Sequence, residues 1–211
     1  MQCCLLQQAL AIREASLGAD HAEVAVARYN LGSTLYALNR SAEAVEQYRQ
    51  VLPVFIERYG AGHPRVAMAC NGLALSLLEL DQVEAARQAN LQALQIAEDN
   101  WPQGHEVRAE ALALAAELNR RDEQLAAAET AARQALQMHA ERVQTLDSRQ
   151  AAIALILGAV LVDLGQLSEA LALLQDAHHR LQSQLGDSDP RTRRASRLLA
   201  AIPPQNGDPP Q

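Results

Sequence analysis

Residues 21–62, HAEVAVARYNLGSTLYALNRSAEAVEQYRQVLPVFIERYGAG, form one unit of a pattern that recurs along almost the whole chain. Val24, Leu31, Leu35 and Leu38 recur at helical spacing before Asn39-Arg40-Ser41 interrupts them. Ser41, followed by Glu43 and Ala44, reads as an N-cap with an acid in the first turn, where the helix dipole favours negative charge. Ala44, Tyr48, Val51, Leu52 and Phe55 then mark the inner stripe of a second helix. Tyr59-Gly60-Ala61-Gly62 stops it, because glycine tolerates the left-handed conformation of a helix C-terminus. Pro64, behind His63, opens the next helix, where a missing N–H costs little. The unit is therefore a helical hairpin.

Outward from this unit the period is 42 residues. His21, His63 and His105 stand at that interval, and continuing the step reaches Asp147 and Asp189. Gly32, Ala74, Ala116 and Gly158 form a column of small residues, and Ala44, Ala86, Ala128 and Ala170 form another. Leu10, Leu52, Leu94 and Leu136 form an apolar column that ends at His178. Leu31, Leu73, Leu157 and Leu199 form a further one, interrupted by Ala115. Leu17, Tyr59, Trp101, Val143 and Leu185 are always bulky and apolar. The small columns mark where the two helices of a hairpin approach most closely; a larger side chain there would overpack the seam at about 1–3 kcal/mol. One hairpin cannot bury both its faces, so neighbours must stack.

Composition narrows the function. Ala, Leu, Gln, Glu and Arg dominate, aromatic residues make up 3%, and the mixture favours helix over strand. All 18 basic residues are Arg, so Schiff-base chemistry, a phosphate-binding loop and a kinase ATP site lack their lysine. The net charge of −7 is the wrong sign for a broad nucleic-acid surface and counts against helical-repeat RNA recognition. Cys3, Cys4 and Cys70 show no C-x-x-C spacing and read as structural thiols of a reducing compartment. No stretch has the length and apolarity of a signal peptide or membrane span, so a cytoplasmic location is expected. The histidine column cannot hold a shared metal: equivalent residues of successive hairpins lie about 20 Å apart, whereas zinc ligands lie at ~2 Å. His105-Glu106 fails the H-E-x-x-H motif because residue 109 is Ala, and His178-His179 reads as a local pair. No nucleophile, base and oxyanion donor can be assembled, so no enzyme, cofactor or metal site is expected.

Leu31, Gly32, Leu35, Ala44, Tyr48 and Val51 resemble the tetratricopeptide pattern, whose usual period is about 34 residues. The phrases ALAIREASLGADHAEVA (9–25) and RYGAGHPR (58–65) look like the linkers of the kinesin-light-chain type of repeat, which lengthens the second helix. The resemblance spans residues 1–202 and implies an all-α, right-handed solenoid of helical hairpins. The expected organisation is an orphan helix over 1–18, repeats over 21–62, 63–104, 105–146 and 147–188, a capping helix over 189–202 and a disordered tail over 203–211. About nine helices are expected, or ten if the third repeat is intact, because Asn119 and Asp122 replace Leu35 and Leu38 and would end the third repeat's first helix near Leu118. Leu5–Leu17 reads as a second helix without its first, which favours a fragment of a longer protein.

In the tetratricopeptide superhelix the first helix of each hairpin lines the concave surface. Carried over by position, the resemblance implies a peptide-binding groove of Tyr29, Asn30, Ser33 and Tyr36; Met68, Asn71, Leu75 and Leu78; Glu117 and Arg120; and Leu155 and Val162. Asn30 matches the asparagine with which the family holds a peptide backbone, whereas Gly72 and Leu114 do not. Leu155 in this row reads as apolar exposure, the mark of an interaction site. The arginines at 191, 193, 194 and 197 read as a solubilising outer face of the last helix. A protein or peptide partner, or self-association, is expected; the alternative is a regulatory or substrate-recruiting C-terminal segment of a larger bacterial signalling enzyme such as a serine/threonine kinase.

Overall fold

The computed structural model describes residues 2–102, 104–141 and 147–203, with side chains described from Leu5 onward. Val143 and all of the expected tail except Pro203 lie outside the described residues. The described residues form ten helices: α1 (Gln2–Leu17), α2 (Ala22–Ala37), α3 (Ser41–Tyr59), α4 (Pro64–Glu79), α5 (Val83–Asn100), α6 (Glu106–Arg121), α7 (Leu125–Ala140), α8 (Ser148–Asp163), α9 (Leu167–Leu185) and α10 (Pro190–Ala201). Among them there is no strand. The four hairpins α2–α3, α4–α5, α6–α7 and α8–α9 stack in order as an all-α solenoid, and each second helix packs on the next hairpin's first. First helices also pack directly on one another, α2 on α4, α4 on α6, α6 on α8 and α8 on α10, so they line one continuous face.

The columns of the sequence are the joints of this architecture. His21, His63 and His105 are N-caps: each Nδ1 accepts the backbone N–H two residues on, at 3.2, 3.1 and 3.2 Å. Asp147 and Asp189 do the same with a carboxylate oxygen, to Arg149 N at 3.1 Å and Arg191 N at 2.9 Å. An imidazole and a carboxylate share the column because each offers an acceptor to an orphan N–H of the first turn. The bulky column packs beside it. Tyr59 stacks on His63 with ring centroids 4.8 Å apart, and Trp101 on His105 at 3.9 Å.

Inside each hairpin the turn is closed by one left-handed residue, again at the 42-residue interval: Asn39 (φ 61°), Asp81 (58°), Glu123 (60°) and Gly165 (74°). The next N–H, from Arg40, Gln82, Gln124 or Gln166, reaches back to the carbonyl of Leu35, Leu77, Asn119 or Leu161 at 2.8–2.9 Å. This is the Schellman arrangement, which satisfies the last carbonyls of a helix. It corrects two expectations. The third repeat is intact, because α6 ends where its turn ends it and not where apolar periodicity fades; α2, α4, α6 and α8 all have 16 residues. Ser41 is not an N-cap but the buried first residue of α3, whose preceding Arg40 makes no side-chain cap and instead pairs with Glu43 at 2.6 Å.

The small column sits where expected, and its partners compensate for it. A Cβ on Gly32 would lie 3.1 Å from the Tyr48 ring, and one on Gly158 would lie 2.7 Å from Leu174. Sixteen residues after each small position stand Tyr48, Asn90, Ala132 and Leu174. Gly therefore faces the two bulky side chains, and Ala stands at the positions whose counterparts in the same register are smaller. Tyr48 is the most constrained: buried at 2% exposure, it also meets Gly72 of α4, where a Cβ would run into its ring. Its hydroxyl lies 3.0 Å from Ser33 Oγ, and the Tyr29 ring packs edge-on at 5.9 Å.

Replacing His63 with Ala should lower stability by about 0.5–2 kcal/mol. His63→Asp should retain most of it, since a carboxylate already caps two helices of the column; urea unfolding of both variants measures this. Gly158→Ala should cost about 1–3 kcal/mol by overpacking, and Leu174→Ala about 2–5 kcal/mol by cavity formation. The double variant recreates the Ala116–Ala132 combination, so a double-mutant cycle should show a loss smaller than the sum.

Candidate binding groove on the inner helix face

The inner face is built from the first helices, so its chemistry is set by residues that recur at helical spacing on α2, α4, α6 and α8 and by α10, which starts in the same register at Asp189. These helices enclose a cavity of about 160 Å³. Leu75, Leu78, Leu114, Ala152, Leu155 and Ile156 give it an apolar floor, with Tyr36 at one side. Glu79, Glu117 and Asp189 supply acids, and Arg191, Arg194 and Arg197 supply bases. The first and fifth inner helices, α2 and α10, line the same cavity, so the solenoid curls enough to bring its two ends to one site.

Glu117 is the electrostatic centre. It is 3% exposed, yet its carboxylate receives Arg120 at 3.0 and 3.1 Å and Arg194 of α10 at 2.7 Å. Burial alone would raise its carboxyl; the hydrogen bonds and charges of the Arg120 and Arg194 guanidiniums outweigh that and hold it below the usual carboxylate range. Arg120 extends the network to Asp163 at 2.8 Å, and Arg121 reaches Asp81 at 2.7 Å, tying three successive hairpins at their turn edge. Tyr36 is half-buried, and burial, assisted by the charge of Glu79, pushes its phenol up to about 12. Nearer the N-terminal ends of the inner helices, burial likewise raises Glu110, although Arg149 lies 3.6 Å from it. Cys70 is fully buried, and its thiol is pushed up to about 12 by burial, which leaves no thiolate for nucleophilic chemistry at that position. Among the described residues no group of three or more His, Cys, Asp or Glu is placed to hold a metal, and no helix is long and apolar enough to cross a membrane.

Five of the twelve residues carried over from the repeat pattern line the cavity: Tyr36, Leu75, Leu78, Glu117 and Leu155. Tyr29, Asn30, Ser33, Met68, Asn71, Arg120 and Val162 do not. Tyr29 and Ser33 brace Tyr48, Asn30 and Met68 are exposed, and Val162 is half-buried against the core. Asn71 is 3% exposed and donates its amide to the Val107 carbonyl at 3.0 Å, so it ties α4 to α6 instead of offering an amide to a ligand. Arg120 lies at the turn edge, beside Asp81, Val83 and Leu125. Leu155 is not exposed: at 2% it belongs to the core, touching the cavity only as floor. Asn71 is taken up by the neighbouring inner helix and Tyr29 and Ser33 by Tyr48 of α3, whereas Asn30 and Met68 stay exposed outside the cavity.

The largest omission is α10. Arg191, Arg194 and Arg197 line the cavity, the first two half-buried and Arg197 at its exposed rim, while Arg193 is exposed and lies outside it. The 42-residue register held the signal, since Arg194 and Arg197 stand one period after Ala152 and Leu155.

Comparison with known proteins follows the same lines. Two family profiles, both described as tetratricopeptide repeat, match residues 5–57 and 151–191. No curated protein sequence matches the chain. Among solved structures, the nearly identical TPR-like repeats of a candidate kinesin light chain from Podosopora anserina superpose with a TM-score of 0.60 at 21% identity, covering 87% of this chain and 87% of that one. BtubC (BKLC) from P. vanneervenii superposes with a TM-score of 0.64 at 19% identity, covering 99% of this chain and 76% of that one.

The depressed Glu117 carboxyl makes part of the stability acid-sensitive. The native chain binds this proton less readily than the unfolded chain, whose glutamate titrates near pH ~4.3. The stabilisation is therefore fully present above that pH and is lost as pH falls through the lower native value. The gap in urea midpoint between wild type and Glu117→Gln should be wide at neutral pH and close as the solution is taken below about pH 4.

Proposed function

The chain is a tetratricopeptide repeat protein whose hairpins have the fold of kinesin-light-chain repeats, a scaffold for protein interaction, and from that premise we propose that it binds a peptide or helix of a protein partner along its inner face. The observation that carries this reading is the cavity between the inner helices. Its volume of about 160 Å³ matches the cavities of about 150 Å³ that admit a benzene-sized group. One bulky apolar side chain from the partner fits that volume. Leu75 and Leu78 from α4, with Leu114, Leu155 and Ile156, would remove it from water, and full burial of such a side chain is worth about 1.5–3 kcal/mol. The rim of mixed charge orients the partner and excludes wrong ones more than it adds affinity. Tyr36 supplies a large contact area and a hydroxyl from the α2 side, the combination that recurs at binding hot spots. The reading is of a binding module, not a catalyst.

Tyr36 and Leu75 are both half-buried cavity residues, whereas Leu78 at 6% exposure is also core. The informative variant is therefore Tyr36→Ala with Leu75→Ala. Peptides selected on the wild-type chain from a random display library should bind this variant about 30-fold more weakly, the equivalent of ~2 kcal/mol. Its helical spectrum should persist and its urea midpoint should move little. Selected peptides that bind both chains equally, or a stability loss of the ~2–5 kcal/mol typical of core truncation with binding unchanged, would remove the cavity from the proposal.

A further inference from the structure

α10 is attached unlike the other inner helices. α8 buries nine of its residues, whereas α10 buries two, Thr192 and Ala195. The apolar column Leu10, Leu52, Leu94 and Leu136 contributes to the packing between helices at four successive positions; at the fifth, His178 takes its place and lies 2.8 Å from Ser196 Oγ of α10. At this one position of the α9–α10 joint a polar tie thus stands where the earlier joints use leucine, beside the apolar packing of Ala195, Leu198 and Leu199. The second tie is Arg194, which bonds Glu117 of α6 at 2.7 Å. The segment between α9 and α10 begins at Gly186, whose φ of +82° suits a residue without a side chain. α10 nevertheless contributes Pro190, Arg191, Arg194 and Arg197 to the cavity wall, with its N-cap Asp189, and the charges of Arg191, Arg194 and Asp189 are felt at Tyr36 across the site.

We propose that α10 is a movable wall of the cavity, latched by the Arg194–Glu117 bond, so that the groove opens by releasing one helix and leaves the four hairpins folded. The use of this device rests on the groove reading above, but the device itself is tested without a partner. Helices with few buried contacts open at lower free energy than the core they rest on, and α10 rests on the last hairpin through a short apolar seam, Ala195, Leu198 and Leu199 with Ile202 behind them, where α8 buries nine residues. Glu117 keeps Arg120 when Arg194 leaves, so opening does not strand its buried carboxylate.

The experiment is amide hydrogen exchange read by mass spectrometry, together with hydroxyl-radical labelling of tyrosine, on the 211-residue chain and its Arg194→Gln and Arg193→Ala variants. With Arg194→Gln, amides of α10 should exchange about tenfold faster or more, the scale of one charge-assisted hydrogen bond. Amides of α2 to α8 should be unchanged. Tyr36 labelling should rise several-fold, while Tyr48, buried between α2 and α4, should not change. Arg193→Ala, which alters an exposed neighbour on the same helix, should behave as wild type. Faster α10 exchange with unchanged Tyr36 labelling would mean the helix frays without walling the cavity, and would overturn the proposal. So would no change, or a rise spread equally over all helices. A failed peptide selection leaves these readouts intact, and failed readouts leave the peptide selection intact.

Discussion

The close approach of the two helices at each hairpin seam is the constraint from which the rest follows. It requires a residue with little or no side chain on the first helix, and the facing side chain on the second sets how little. Gly32 opposite Tyr48 and Gly158 opposite Leu174 are the tight cases, in which even a methyl group would force its neighbour to move. Once seam depth is fixed, the angle between the helices is fixed, and the left-handed residue closing each turn repeats it. A rigid hairpin copied at a 42-residue interval must generate a regular curve. That curve brings α10 to the cavity that α2 also lines.

The polar contacts act at a different level. Most ion pairs, such as Arg133 with Glu169 or Arg149 with Glu106, are exposed and each contributes only about 0–1 kcal/mol. They do not explain why the solenoid is folded. Glu117 differs because it is buried and satisfied three times over, so removing a partner matters where removing a surface pair does not. The same residue connects stability to the site, since the carboxylate that α10 leans on also lines the cavity. An all-arginine basic complement suits this: the planar guanidinium of Arg120 engages both Glu117 oxygens through Nε and Nη2 while its third nitrogen, Nη1, donates to Asp163.

Legibility in the sequence differed sharply between fold and site. The fold was legible because its joints are local: an N-cap, a stop and a small seam residue are each read within a few positions, and a fixed interval makes every repeat a check on the others. Even the errors were local. Asn119 breaks the apolar rhythm of α6, but its carbonyl accepts the turn's N–H as Leu35 and Leu77 do, and helix length follows the turn. The site was less legible because a groove is made by sequence-distant residues. Asn71 and Leu155 lie on the correct inner helices, yet neighbouring helices take up their side chains. Glu117 is legible as a groove residue, but not its partner Arg194, which is 77 residues away in sequence.

By itself, then, the sequence determined the hairpin, its 42-residue period, the caps and the close seam, because those are decided by the backbone and its nearest neighbours. Which inner side chains line the cavity, and that the fifth inner helix brings Arg191, Arg194 and Arg197 to it, were decided only by the tertiary structure. The physical reason is that burial belongs to the assembled curve: small fixed rotations from hairpin to hairpin accumulate until α2 and α10 share one cavity, and no window of sequence contains that sum.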